Sequence, residues 1–133
     1  MNLAQVIHQR WAAAAALNGL LPASRVHTGM SAGGPLPFAV LSKENDRPVE
    51  RFGDGSAIDT VGVRIQVFCE DADAGEAVMH QIKTAFDCTN FDLAASDKVI
   101  DMKRTNDFAR QLDDGTWQFV IDFDCTVQLA TGV

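Results

Sequence analysis

Three groups of residues in this chain have side chains that could do chemistry: the histidines, the cysteines, and two carboxylates spaced two apart near the C-terminal end. His8, His27 and His80 fall on separate expected elements. None has a His, Cys or carboxylate at metal-ligand spacing on its own element, so no metal centre is expected. Cys69, Cys88 and Cys125 are odd in number and include no close pair, which argues against a disulfide framework and a zinc knuckle. Cys69 and Cys125 sit in strand-like runs, where a reduced cysteine packs as a small apolar residue. Asp122 and Asp124 share one strand face. Such a pair could hold a metal or divide acid and base roles. The plainer reading is a solvated outer face, and a third is an acidic surface lining a pore.

Other patterns fail on inspection. Asp71-Ala72-Asp73-Ala74-Gly75 opens like a calcium loop, but positions five, six and twelve are Gly75, Glu76 and Ile82 where a ligand, a glycine and a glutamate are needed. Helix capping accounts for these aspartates. Gly33-Gly34 is followed by Pro35, which lacks the N–H that a phosphate nest would use. Neither nucleotide-binding glycine loop occurs, and none of the serines lies in a nucleophile elbow. The expectation is a chain with no catalytic residue, no cofactor and no metal.

The 133 residues fit one domain, residues 1–133, large enough to bury a core without disulfides. Hydrophobic residues make up 47% and charged residues 22%, with a formal net charge of -7. A uniformly acidic surface repels phosphate, so nucleic-acid binding is not expected of it. The start lacks a basic segment before an apolar run, and residues 11–17 are too few to cross a bilayer. The chain reads as cytoplasmic when made, with no membrane partner.

Hydrophobic spacing sets out the elements. Leu3, Val6, Ile7, Trp11, Ala14 and Leu17 recur at helical intervals, so a helix is expected over residues 3–17, with Asn2 as N-cap and Asn18-Gly19 as its stop. Residues 25–27 suit a short strand, residues 28–37 a Gly/Pro loop, and residues 37–41 the start of a strand. Residues 43–59 are polar and read as a long flexible hairpin loop with an extended arm. Val61, Val63, Ile65, Val67 and Cys69 alternate with Gly62, Arg64, Gln66 and Phe68, which marks a strand over residues 60–70. A helix follows over residues 74–87, with Asp73 and Glu76 as a capping box. Residues 98–112 and 117–129 form a hairpin about Asp114-Gly115. A two-residue turn there would set Asp107 against Asp122 and put Arg104 and Arg110 on the apolar face. A bulge in the first arm, or an arm that extends beyond the core to meet a partner, is therefore expected. The sum is an α+β fold: a mostly antiparallel (mixed) sheet of four or five strands with two helices on one face.

In this order the features resemble phage tail-terminator or tail-completion proteins, the group of lambda-like minor tail protein U and its relatives in tailed phages and prophages. The resemblance runs over nearly the whole length. It comprises the opening helix, Arg25-Val26, the loop leading to Pro35-Leu36-Pro37-Phe38-Ala39-Val40, the strand Val61 to Cys69, the helix within residues 71–86 and the closing hairpin. It implies a homo-oligomeric ring of six subunits at the head-proximal end of a tail tube. There it stops tube polymerisation and offers the head-joining surface. The implied partners are other copies, the tail tube protein and head–tail connector proteins, with DNA only as passing cargo. The implied location is the virion after assembly in host cytoplasm. Arg47, Arg51, Phe52 and Asp54 are then candidate subunit or partner contacts, and Asp122 and Asp124 candidate channel-facing acids. The alternatives are a head-closure or neck component of the same machine, or a small ferredoxin-like ligand-binding domain or enzyme. The last would need His27, His80 and Asp122 brought together in space.

Overall fold

A computed structural model of the chain describes residues 1–29 and 34–130; part of the expected Gly/Pro loop, residues 30–33, lies outside it. The strands are β1 (Val26–Thr28), β2 (Phe38–Arg51), β3 (Ala57–Cys69), β4 (Thr89–Asp92), β5 (Lys98–Gln111) and β6 (Trp117–Leu129). They form one mixed sheet in the order β1-β2-β3-β6-β5-β4, parallel only between β1 and β2. The helices are α1 (Leu3–Ala13), α2 (Ala15–Leu20) and α3 (Ala72–Phe86). The α+β class holds, with six strands and three helices among the described residues instead of the four or five and two expected. The uncounted strand β4 is short and half-exposed, and its Thr89-Asn90-Phe91-Asp92 carries no alternation strong enough to read.

The helices cover one face. Val61, Val63, Ile65, Val67 and Cys69 of β3 and Phe119, Ile121, Phe123, Cys125 and Val127 of β6 are all buried and share a core cluster with helix residues. Trp11 and Phe86 are wholly buried with ring centroids 6.3 Å apart, and Phe86 meets Phe123 at 6.5 Å. Burying side chains of this kind contributes about 1.5–3 kcal/mol each.

The first helix corrects its expected form. It breaks at Ala14, whose backbone is extended, and resumes as α2 through Asn18 and Gly19. The indole N–H of Trp11 donates to the Leu21 carbonyl at 2.8 Å, and Asn18 Oδ1 accepts from the Ala23 N–H. The bend carries Leu17 and Leu21 into the core, where both are buried. Packing thus outweighs the helix propensity of five alanines. Asn2 stands at the N-cap position but makes no cap bond; its Oδ1 accepts from the Ala94 N–H at 2.8 Å. In α3 the cap is Asp71, whose carboxylate accepts from the Ala74 N–H at 2.7 Å, rather than Asp73.

Both long hairpins turn alike. The Gly55 N–H donates to the Phe52 carbonyl and the Gly115 N–H to the Leu112 carbonyl, each glycine at positive φ. These are three-residue loops in which the glycine takes the left-handed position. The longer turn, with register shifts at Val99/Asp101 and Arg104/Asn106, sets the β5–β6 register and bears out the expected bulge. Asn106, not Asp107, faces Asp122. Arg110 lies across from Gln118 and donates to it at 2.7 Å, on the face away from the helices. Arg104 stays on the helix side, beside Asp107, which Lys83 of α3 also reaches at 3.0 Å.

Candidate assembly surface

The stretch expected as a flexible loop is mostly strand. Residues 43–51 pair with residues 57–63, with register shifts at Lys43/Asn45 and Pro48/Glu50, and only Phe52 to Ser56 form the turn. Sequence reading missed this because charged and polar residues fill both sides of that half of β2, so no buried face marks it. β1 pairs only with Ala39 to Leu41, leaving β2 a sheet edge beyond that point. Pro48 is tolerated there, next to a register shift, because an edge position need not donate to the ladder. Gly62 admits the Asn45 side chain: a Cβ at that position would stand 2.8 Å from Asn45 Nδ2.

Ion pairs brace this arm. Arg51 donates to Asp59 at 2.7 Å, where Asp59 is only 7% exposed. Burial, and then the adjacent Asp59 carboxylate, push the Asp46 carboxyl above its ordinary range. Arg47 reaches across the sheet to Asp124 at 3.2 Å. At the tip, Asp54 accepts from the Ser56 hydroxyl and N–H, which holds its carboxyl below the ordinary range. Phe52 and Val49 remain 47% and 60% exposed, high for large apolar side chains.

Asp122 and Asp124 lie on the sheet face away from the helices. Neither is a bare acid. Arg64 donates to both oxygens of Asp122, at 2.8 and 3.1 Å, and Arg47 pairs with Asp124. Glu44 stands 3.6 Å from the same Arg64. Toward the other end of this face, Phe38 stacks on Phe68 at 4.8 Å, and Val40 and Val120 are buried.

The structure does not unite the residues a small-molecule site would need. His80 is exposed on α3, Asp122 lies on the opposite face of the sheet, and His27 sits on β1 near Phe38. His8 bonds to the Thr28 hydroxyl at 2.9 Å; burial, and then His27, lower its pKa. Among the described residues, no three His, Cys, Asp or Glu side chains cluster as metal ligands. Cys69 and Cys125 are buried, and burial pushes their thiols up to about 11 and about 12.

A half-open, mostly apolar cavity of about 280 Å³ lies under the N-terminal end of α1, with Asn2, Gln5 and Ser42 among its polar lining. Leu3, Ile7, Leu41 and Val63 line it, with Thr28 and Lys43 also contributing.

Comparison with known proteins places this architecture. No curated protein sequence matches the chain. Among solved structures, a chain in the virion of a native gene transfer agent particle shares the fold, with a TM-score of 0.70 at 16% identity over 92% of this chain and 91% of that one. The family model for tail completion protein gp17 matches residues 5–128. With all but the ends of the chain matched, this protein belongs to the tail completion protein gp17 family and is a structural protein of phage-type tails.

Proposed function

We propose that the protein closes the tail as a ring of identical subunits, six in number, on the head-proximal end of the tail tube. There it stops tube polymerisation and presents the surface for head joining. The observation that carries this reading is the β2–β3 arm. Its β2 half is exposed from Lys43 to Arg51, yet it is paired, bulged and braced by Arg51–Asp59. Ordering a residue costs about 1–2 kcal/mol of backbone entropy, and an exposed strand buries little apolar surface to offset it. Contact with a neighbouring subunit supplies the missing burial. Phe52 and Asp54 at the tip make that contact, while Arg47 and Arg51 hold the arm that carries them.

On this reading the sheet face bearing Asp122 and Asp124 lines the channel. Its carboxylates are matched by Arg64 and Arg47, so passing DNA meets paired charges and finds no continuous cationic track to bind. The tail tube protein and head–tail connector proteins are the partners. The protein is built into the virion from host cytoplasm and catalyses nothing.

Negative-stain microscopy over a concentration series, with native mass measured in parallel and tail tubes added, tests the proposal. Rings with a central hole, free or on tube ends, are expected. A monomer at every concentration that also leaves tube ends uncapped would overturn it.

A further inference from the structure

We infer that the tip of the arm is a knob whose socket is the cavity beside the base of the same arm on the next copy of the chain, so that subunits join head to tail. This rests on the ring reading above.

The cavity's apolar lining residues Leu3, Ile7, Leu41 and Val63 are all buried, and its volume is about 280 Å³. An apolar cavity of about 150 Å³ already accepts a benzene ring, so a phenylalanine side chain fits with room to spare. Phe52 is the exposed aromatic ring at the end of the arm, with Val49 close behind it. The arm cannot fill its own socket. Lys43 borders the cavity and Phe52 lies nine residues further along, about 30 Å of strand at ~3.3 Å per residue. Pairing with β3 keeps that strand extended.

Charge favours the same match. Lys43 is the one charged side chain bordering the cavity among the described residues, and Asp54 at the tip keeps its negative charge through its bonds to Ser56. A knob and a socket at different places on one surface make a heterologous contact, which repeats into a ring when its rotation closes. One aromatic side chain buries only about 150–250 Å². A stable interface needs about 1,200 Å² or more, so this contact sets the register of a wider interface and pairs of subunits alone stay weak.

The test uses the full chain carrying Cys88→Ser, with Cys69 and Cys125 buried. Phe52→Cys and, at Ala4 of the cavity lining, Ala4→Cys are made as separate variants, mixed, assembled at high concentration or on tail tubes, and treated with a short bismaleimide. A cross-linked dimer is expected from the mixture and from neither variant alone. A chain bearing both changes gives a ladder ending at the ring. Phe52→Asp raises the concentration for half-assembly at least about tenfold, Phe52→Leu leaves it near the parent value, and neither shifts the monomer's thermal midpoint. Rings that form without the cross-link, with Phe52→Asp assembling as the parent does, overturn this contact and leave the ring reading standing. Phe52→Cys cross-linking to itself indicates a twofold contact and also overturns it. So does a saturable thermal shift with benzene or indole that leaves assembly unchanged, which marks a small-ligand cavity. No assembly under any condition removes the ring reading and this contact together.

Discussion

Gly75→Ala is a one-methyl test of how closely α3 sits on the sheet. A Cβ at Gly75 would stand 2.0 Å from Phe119 Cε2 and 2.5 Å from Cδ2. Phe119 is 3% exposed, and its ring lies 6.3 Å from Trp117, so it has little freedom to give way. Forcing a methyl into a packed core costs about 1–3 kcal/mol, and so close an approach to a packed ring belongs in the upper part of that range, about 2–3 kcal/mol. Alanine returns about 0.8–1.0 kcal/mol of helix propensity over glycine, which is smaller. The net expectation is a loss of about 1–2 kcal/mol, and a fall in thermal midpoint of about 3–8 °C for a chain of this length. Thermal melts and urea titrations of the parent, Gly75→Ala, Phe119→Leu and the double variant measure it. The double variant should lose less than the sum of the single losses, because the smaller side chain makes room. A Gly75→Ala protein as stable as the parent, or losses that add to within about 0.5 kcal/mol, would refute the close approach.

Further outcomes follow from other contacts. Asp71→Ala should cost about 1 kcal/mol by removing the α3 cap, whereas Asp73→Ala should stay within about 0.5 kcal/mol in the same urea titrations. Lys83, and then Arg104, hold the Asp107 carboxyl below its ordinary 3.8, so its contribution is present above that value and lost as pH falls through the lower folded value. Asp107→Asn should therefore be less stable than the parent at pH 7, and the difference should close in acid. Asp46 has the opposite sign: its folded carboxyl titrates above 3.8, so its contribution is present below 3.8 and lost as pH rises through the higher folded value. Asp46→Asn should raise the thermal midpoint at pH 7 and leave it unchanged below 3.8. A thiol reagent should label Cys88 in the native protein, and Cys69 and Cys125 only on unfolding; mass spectrometry of labelled peptides reads this directly.

Legibility in the sequence followed the presence of a buried face. β3 and β6 were readable to within a few residues because alternate side chains go to a core, and the hairpin of β5 and β6 followed from Asp114-Gly115. The β2 half of the arm was unreadable as strand, since no core sorts its side chains, and residues 43–59 looked like loop. Of the candidate contacts, Phe52 and Asp54 lie in the turn at the tip of the arm. Arg47 and Arg51 are tied to Asp124 and Asp59, partners 77 and 8 positions away in the chain. The pairing of Asp122 with Arg64 spans 58 positions and follows from the antiparallel register of β3 and β6, which no local pattern reports.

The sequence by itself determined the α+β class, the two central strands, the second long helix and the absence of any local catalytic pattern, because each depends on periodicity or spacing within a short segment. Tertiary structure decided the rest: the break at Ala14, the cap at Asp71, the neutralised carboxylates and the ordered arm. Each of these depends on what a distant segment offers the backbone or the charge, and chain order alone does not specify that neighbour.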